Sequence, residues 1–154
     1  MSKLQPGDQA PAFEGRIQDG KQVSLEDYRG KKLILFFYPK DNTPGCTAEV
    51  CSLRDGYEEL SARGFELLGV SPDGEKKHQG FIQKYQLPFP LIADESKEIL
   101  RAYGVWGPKA LYGKLFEGVN RSTFILDEEG KILHIIEKVK TKDHARQILD
   151  LMPG

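Results

Sequence analysis

The chain has 154 residues, of which 39% are hydrophobic, and a formal net charge of -1 at pH 7. This length suits one domain with a substantial core, and we treat residues 1–154 as a single domain. The near-neutral charge gives no electrostatic basis for binding nucleic acid or an acidic membrane surface. No apolar segment is long enough to span a bilayer, and the N-terminus lacks the apolar core of a signal peptide. We therefore expect a cytoplasmic protein in a reducing compartment.

The first elements predict a short hairpin followed by a buried strand. Residues 13–17 can form a strand that turns at Asp19-Gly20 toward Gln22-Val23. Residues 32–38 are a continuous apolar run without alternation. Such a run is typical of a strand that is buried on both faces, at the centre of a parallel or mixed sheet.

The middle of the chain predicts alternating helices and strands. A helix is expected over 44–62, weakened at Gly56, and it is followed by a buried strand over 65–70. A second helix over 75–85 precedes a short strand over 91–93.

The last third predicts a short helix capped by Ser96, a long connection over 104–118, and a hairpin over 122–138. A final helix opens at Thr141 or Asp143. We interpret the aromatic residues of the connection as packing residues: Trp106, Tyr112 and Phe116. The whole order predicts an α/β fold, with helices on both faces of a central mixed sheet and an N-terminal hairpin extension.

Both cysteines, Cys46 and Cys51, lie near the start of the first long helix. Thr43 suits the N-cap position and Pro44 the first helical position, which places Cys46 in the first turn. Free backbone N–H groups and the helix dipole favour a negative charge there, and the thiolate is the reactive form of cysteine. A polar helix start with Gly45 beside the sulfur indicates a reactive Cys46 rather than an inert core cysteine.

Cys51 allows two interpretations. In a regular helix, residues five apart point about 140° away from each other, and their Cα atoms are about 8.5 Å apart. A disulfide requires Cα atoms within about 7 Å, so a Cys46–Cys51 bond would require the helix start to unwind. Alternatively, Cys51 is a small core residue. The pair is not C-x-x-C, which argues against a thioredoxin-type reductase.

A metal site is not indicated. The histidines His78, His134 and His144 are widely separated and lie at no ligand spacing from each other or from the cysteines. We expect each histidine on the surface, and we predict no bound metal and no cofactor.

The pattern Pro39-x-x-x-Thr43-x-x-Cys46 resembles the active-site motif of the peroxiredoxins. The wider stretch 38–51, with its second cysteine five residues after the first, is similar to the bacterioferritin comigratory protein (peroxiredoxin Q) subgroup. Further similarity lies in 87–90, 103–107 and 121–125, so the resemblance covers nearly the whole chain. It implies a thioredoxin-like fold and the reduction of hydrogen peroxide and organic hydroperoxides.

The resemblance also implies roles for individual residues. Cys46 matches the peroxidatic cysteine, and Cys51 matches the resolving cysteine that forms an intramolecular disulfide with it. Thr43 would offer a hydroxyl to the thiolate and the peroxide, and Pro39 would shield the site from water. Arg121 matches the active-site arginine, and Glu49 the acid that holds it.

The implied electron donor is thioredoxin, with glutaredoxin as an alternative. The chain has no third cysteine and ends soon after its last predicted helix, which favours a monomer. Two other functions stay open at this point: a general thiol–disulfide oxidoreductase and a non-enzymatic peroxide sensor.

Overall fold

A computed structural model describes residues 3–152 of the chain. Its strands are β1 (Glu14–Ile17), β2 (Gln22–Ser24), β3 (Lys32–Phe37), β4 (Phe65–Ser71), β5 (Leu91–Ala93), β6 (Trp106–Leu111), β7 (Lys114–Val119), β8 (Ser122–Leu126) and β9 (Ile132–Ile136). Its α-helices are α1 (Pro44–Asp55), α2 (Tyr57–Ala62), α3 (Glu75–Tyr85), α4 (Glu98–Ala102) and α5 (His144–Leu151).

Seven strands form one sheet in the order β2-β1-β5-β4-β3-β8-β9. The central strand β3 is parallel to β4 and antiparallel to β8, so the sheet is mixed. Successive side chains of β3 point to opposite faces: Ile34 and Phe36 join the core under α1, α2, α3 and α5, whereas Leu35 joins the core under α4. The predicted α/β fold, with helices on both faces of a central mixed sheet, is confirmed.

The predicted N-terminal hairpin is present and belongs to the main sheet. Strand β1 pairs antiparallel with β2, in the register Glu14↔Ser24. The other side of β1 pairs with β5 through Arg16↔Ala93 and Ile17↔Ile92. The hairpin therefore extends the sheet edge beyond β5.

The helix expected over 44–62 is divided at Gly56 into α1 and α2. A Cβ atom at Gly56 would lie 2.5 Å from the Cβ of Ala145 on α5, which is closer than two side chains can approach. Because it has no side chain, Gly56 allows α5 to approach closely at the point where the helix breaks.

The connection over 104–118 contains a β-hairpin that the sequence pattern did not predict. Strands β6 and β7 form a separate two-stranded hairpin with the register Trp106↔Val119. Its turn uses positive φ angles at Tyr112 (52°) and Gly113 (76°), which is typical of a tight hairpin turn. Tyr112 is 96% exposed, so the expectation that it packs is wrong.

The start of α4 also differs from the prediction. Lys97, with a φ of 64°, occupies the N-cap position that was assigned to Ser96. Among residues 3–152, no helix combines the length and apolar character needed to cross a membrane.

Candidate active site

Cys46 lies in the first turn of α1, as predicted, and is only 1% exposed. The N-cap residue Thr43 has extended backbone angles (φ -85°, ψ 154°), and Pro44 begins the helix. The Thr43 side chain makes no capping hydrogen bond to the helix, and its hydroxyl donates to the Lys40 carbonyl oxygen at 2.8 Å. The first turn therefore keeps free backbone N–H groups close to the sulfur.

Strand register brings Arg121 to Cys46 across 75 residues of sequence. Ser122, the first residue of β8, pairs with Phe37, the last residue of β3, so Arg121 lies where the chain leaves β3 toward α1. Side chains alternate along a strand, and Ile125 of β8 belongs to the core under α1. Arg121 and Thr123 share the face of Ile125, which is the face of the cysteine.

Arg121 contacts both groups that the family resemblance implies for it. Its Nη2 donates to Cys46 Sγ at 3.3 Å, and its Nη1 donates to Glu49 Oε1 at 2.5 Å. Glu49 follows Cys46 by three residues, which places both on one face of α1. A Cβ atom at Gly45 would lie 3.2 Å from Arg121 Nη2, so the glycine leaves room for the guanidinium.

Burial and neighbouring charges have opposite effects on the pKa values of Arg121 and Glu49. Burial opposes the charged form of Arg121, but Glu49 and Cys46 outweigh it and raise the pKa of Arg121. Burial raises the pKa of Glu49 to about 7, and the attraction of Arg121 only partly offsets that rise. The guanidinium therefore stays charged and can balance a negative charge on the sulfur, whereas Glu49 titrates near neutral pH.

Behind Glu49 lies a second buried titratable residue, His144. Its Nδ1 is 2.9 Å from Gln147 Oε1, an acceptor, so Nδ1 carries a proton. Its Nε2 lies 2.8 Å from the Thr123 hydroxyl and 3.7 Å from Glu49 Oε2. Burial lowers the pKa of His144 to about 4, so its imidazole is neutral at pH 7. Among the described residues, Glu49 Oε2 has no hydrogen-bond partner.

The expectation that the histidines are surface residues is wrong for His78 and His144, both of which are 0% exposed. His134, on β9, is half-buried. Neither the burial of His144 nor its contact with Thr123 has a signal in the sequence, because each depends on how α5 packs against the sheet. Only the three-residue spacing from His144 to Gln147 is visible beforehand.

Glu49 and His144 should give opposite dependences of stability on pH. The pKa of Glu49 rises from 4.5 to about 7 on folding, so its contribution to stability is complete below pH 4.5 and is lost toward pH 7. The pKa of His144 falls from 6.5 to about 4, so its contribution is complete above pH 6.5 and is lost toward pH 4. Each change corresponds to about 3 kcal/mol, and in the wild type the two largely cancel.

Denaturant unfolding of single variants at several pH values should separate the two contributions. For Glu49→Gln, the free energy of unfolding relative to wild type should rise by about 3 kcal/mol from pH 4.5 to pH 7. For His144→Asn it should fall by about the same amount from pH 4 to pH 6.5. His134→Asn, which removes a half-buried histidine from β9, serves as the matched control for the substitution itself. If the relative free energy of unfolding changed with pH in the same direction in both variants, the opposite pKa shifts of Glu49 and His144 would be contradicted.

The other predicted site residues are near the cysteine in sequence, and their roles remain predictions. Cys51 is half-buried on the same helix as Cys46, and both thiols are free. Pro39 is half-buried directly after the fully buried Tyr38. The Thr43 hydroxyl proton is donated to Lys40, so any contact with the sulfur would use the oxygen. Within 3–152, no group of three or more histidine, cysteine or acidic side chains is placed to hold a metal ion.

Comparison with known proteins agrees with this geometry. Residues 6–135 match the AhpC/TSA family. The peroxiredoxin Bcp of Escherichia coli is 41% identical over 150 residues, which cover 97% of this chain and 96% of that protein. The peroxiredoxin Bcp of Bacillus subtilis is 42% identical over 149 residues, with 97% and 95% covered.

Solved structures show the same likeness. The bacterioferritin comigratory protein of Xanthomonas campestris, described for its alkyl peroxide reduction activity, superposes with a TM-score of 0.85 at 36% identity. The match covers 91% of this chain and 89% of that protein. This chain also resembles solved structures of peroxiredoxin Q proteins, and this likeness confirms the predicted thioredoxin-like fold. The chain therefore belongs to the AhpC/TSA family, within which it resembles the Bcp and peroxiredoxin Q proteins, and it is a thiol peroxidase.

Proposed function

We propose that Cys46 is the residue that reduces hydrogen peroxide and organic hydroperoxides. The Cys46 thiolate attacks one peroxide oxygen, an S–O bond forms and the O–O bond breaks. The sulfur is oxidised to a sulfenic acid, and the leaving oxygen takes a proton to become water or an alcohol. The observation that carries this proposal is that the Arg121 guanidinium donates to Cys46 Sγ and to Glu49 Oε1 at the same time. Such donors stabilise negative charge in the transition state.

Cys51 would complete the oxidative half of the reaction. Its sulfur attacks the sulfenic acid of Cys46, an S–S bond forms and water leaves. Both cysteines lie in the uninterrupted helix α1, where Cα atoms five residues apart are about 8.5 Å from each other. A disulfide needs about 7 Å or less, so α1 must unwind around Cys46 in each cycle.

Reduction of this disulfide by thioredoxin would regenerate the two thiols, and glutaredoxin is the alternative donor. Thiol–disulfide exchange needs only access of an external thiolate to one of the two sulfurs, which an unwound helix start provides. We further propose one domain over residues 1–154, a monomer and a cytoplasmic location. The single seven-stranded sheet that both core clusters share supports the one-domain proposal.

Titration of the reduced protein with hydroperoxide tests this function. Each equivalent of peroxide should remove both thiols, and peptide mapping without reductant should find a Cys46–Cys51 disulfide. Thioredoxin, thioredoxin reductase and NADPH should then sustain turnover, and replacing thioredoxin by glutaredoxin measures the alternative donor. Insulin reduction without peroxide consumption would instead establish a general thiol–disulfide oxidoreductase. Substoichiometric, slow consumption would indicate a peroxide sensor.

A further inference from the structure

Three polar side chains are buried together where the loop that leads from β3 to α1 contacts α3. Tyr38 and His78 are fully buried, and Asp41 is 5% exposed. The Tyr38 hydroxyl donates to Asp41 Oδ1 at 2.7 Å, and His78 Nδ1 lies 2.6 Å from Asp41 Oδ2. His78 belongs to α3, so this cluster joins the loop before Cys46 to a helix that is remote in sequence. The proposed reaction uses none of the three.

The hydrogen-bond partners of His78 determine how many protons the pair holds. Its Nε2 lies 2.9 Å from the Ile92 carbonyl oxygen, which only accepts, so Nε2 carries a proton. The 2.6 Å contact between Nδ1 and Asp41 Oδ2 then needs a further proton between these two atoms. Whichever atom holds it, the Asp41–His78 pair has no net charge and satisfies both buried groups.

The same pair fixes the loop at a point five residues before Cys46. The backbone N–H of Asp41 also donates to Asp73 Oδ2 at 2.7 Å, in the loop between β4 and α3. Asp41 is thus held by its side chain and its backbone at once. The loop beyond it must position Thr43 and Cys46 relative to Arg121.

A second set of contacts holds the chain just after Cys51. Ser52 Oγ accepts the N–H of Ala145 at 3.1 Å, and Arg54 Nη1 donates to the Tyr85 carbonyl oxygen at 2.9 Å. Leu53 between them is fully buried. Residues 42–51, which contain both cysteines, therefore lie between two fixed points.

We propose that the Asp41–His78 pair is the N-terminal anchor of the segment that unwinds and holds Cys46 in place for attack on the peroxide. This inference rests on the proposed function, because it concerns the two steps of that reaction. Removing one partner leaves the other buried without its hydrogen bond, which penalises the folded loop. In such a variant Asp41 is no longer anchored, so unwinding extends through Asp41, water reaches its side chain and the penalty disappears. Loss of the pair should therefore oppose peroxide attack and favour disulfide formation.

His78→Leu in the full chain tests this inference through two rates. The rate constant for peroxide with Cys46 should fall by about tenfold or more, while conversion of the sulfenic acid to the disulfide should accelerate by about tenfold or more. A residue with only a general structural role would not accelerate the second step. His134→Leu, which removes a half-buried histidine from β9, is the matched control and should change neither rate.

Asp41→Asn distinguishes a positioning contact from a requirement for charge. The new amide oxygen can accept from Tyr38, and its NH₂ can donate to His78 Nδ1 while Nε2–H still donates to Ile92. Both rates should therefore stay within about threefold of wild type, whereas Asp41→Leu should behave like His78→Leu.

Hydrogen exchange of the wild type provides a readout that needs no variant to fold. Amides over 47–51, which are hydrogen-bonded at the start of α1, should exchange together through local opening, while the Asp41 amide keeps its protection. Equal loss of protection at Asp41, or two rates that fall together in His78→Leu, would overturn the inference. Failure of the wild type to consume peroxide would overturn the proposed function instead, so the two failures are distinguishable.

Discussion

Cys46→Ser should reduce peroxide consumption to the uncatalysed background, because a serine hydroxyl is not ionised at neutral pH and cannot replace the thiolate. Cys51→Ser should behave differently. It should consume one equivalent of peroxide at nearly the wild-type rate and then stop, since the sulfenic acid of Cys46 has no internal partner. Rapid-mixing measurements of peroxide loss, with dimedone labelling and mass spectrometry of the product, separate the two outcomes.

The two cysteine variants are matched controls for each other. Each removes one sulfur from the same helix, so a general effect of serine on α1 would appear in both. Sustained turnover with thioredoxin requires both sulfurs and should be lost in both variants. Peroxide consumption by Cys46→Ser within twofold of wild type would refute the assignment of Cys46.

Arg121→Gln should slow the reaction of Cys46 with peroxide by about 10²- to 10³-fold, the usual effect of losing one charge-stabilising donor. The variant loses the 3.3 Å contact with the sulfur and the cation that faces Glu49. Without that cation, burial raises the pKa of Glu49 further, so Glu49 becomes neutral and the variant can still fold. Arg121→Lys should lie between wild type and Arg121→Gln, because one ammonium cannot donate to both partners in the planar fork geometry.

The second-order rate constant under single-turnover conditions measures this effect directly. Arg101→Gln is the matched control, since Arg101 is an exposed arginine on α4. Its rate should equal that of wild type. A rate for Arg121→Gln within about threefold of wild type would show that the contact with Cys46 does not assist attack.

The sequence predicted those features that depend on local pattern. The apolar run of β3, the Thr43-Pro44 helix start and the three-residue spacing of Cys46 and Glu49 each follow from nearby residues. Arg121 entered the site through family resemblance, because its contact with Cys46 depends on the β3–β8 register. No local pattern reports such a register.

The features that were missed depend on tertiary packing or on turn conformation. Asp41 and His78 are 37 residues apart, and their contact requires α3 to pack beside the β3–α1 loop. The burial of His144 likewise depends on the docking of α5. The β6–β7 hairpin was missed because its turn places Tyr112, a residue with no preference for positive φ, in the left-handed region. The break at Gly56 was predicted only as a weak point of the helix, and the close approach of Ala145 that requires a glycine there depends on the docking of α5.

The β6–β7 hairpin lies directly before Arg121 in the chain, and this position has a consequence for how such a protein can evolve. The Asn120 N–H donates to the Val105 carbonyl oxygen at 2.7 Å, which closes the hairpin immediately before Arg121. Insertions and deletions within the hairpin, between Val105 and Asn120, can therefore accumulate without moving Arg121. Between Arg121 and Ile125, however, a one-residue deletion would turn the guanidinium to the opposite face of the sheet. The length of the hairpin can therefore change during evolution. In β8, by contrast, each side chain has to stay on its present face of the sheet.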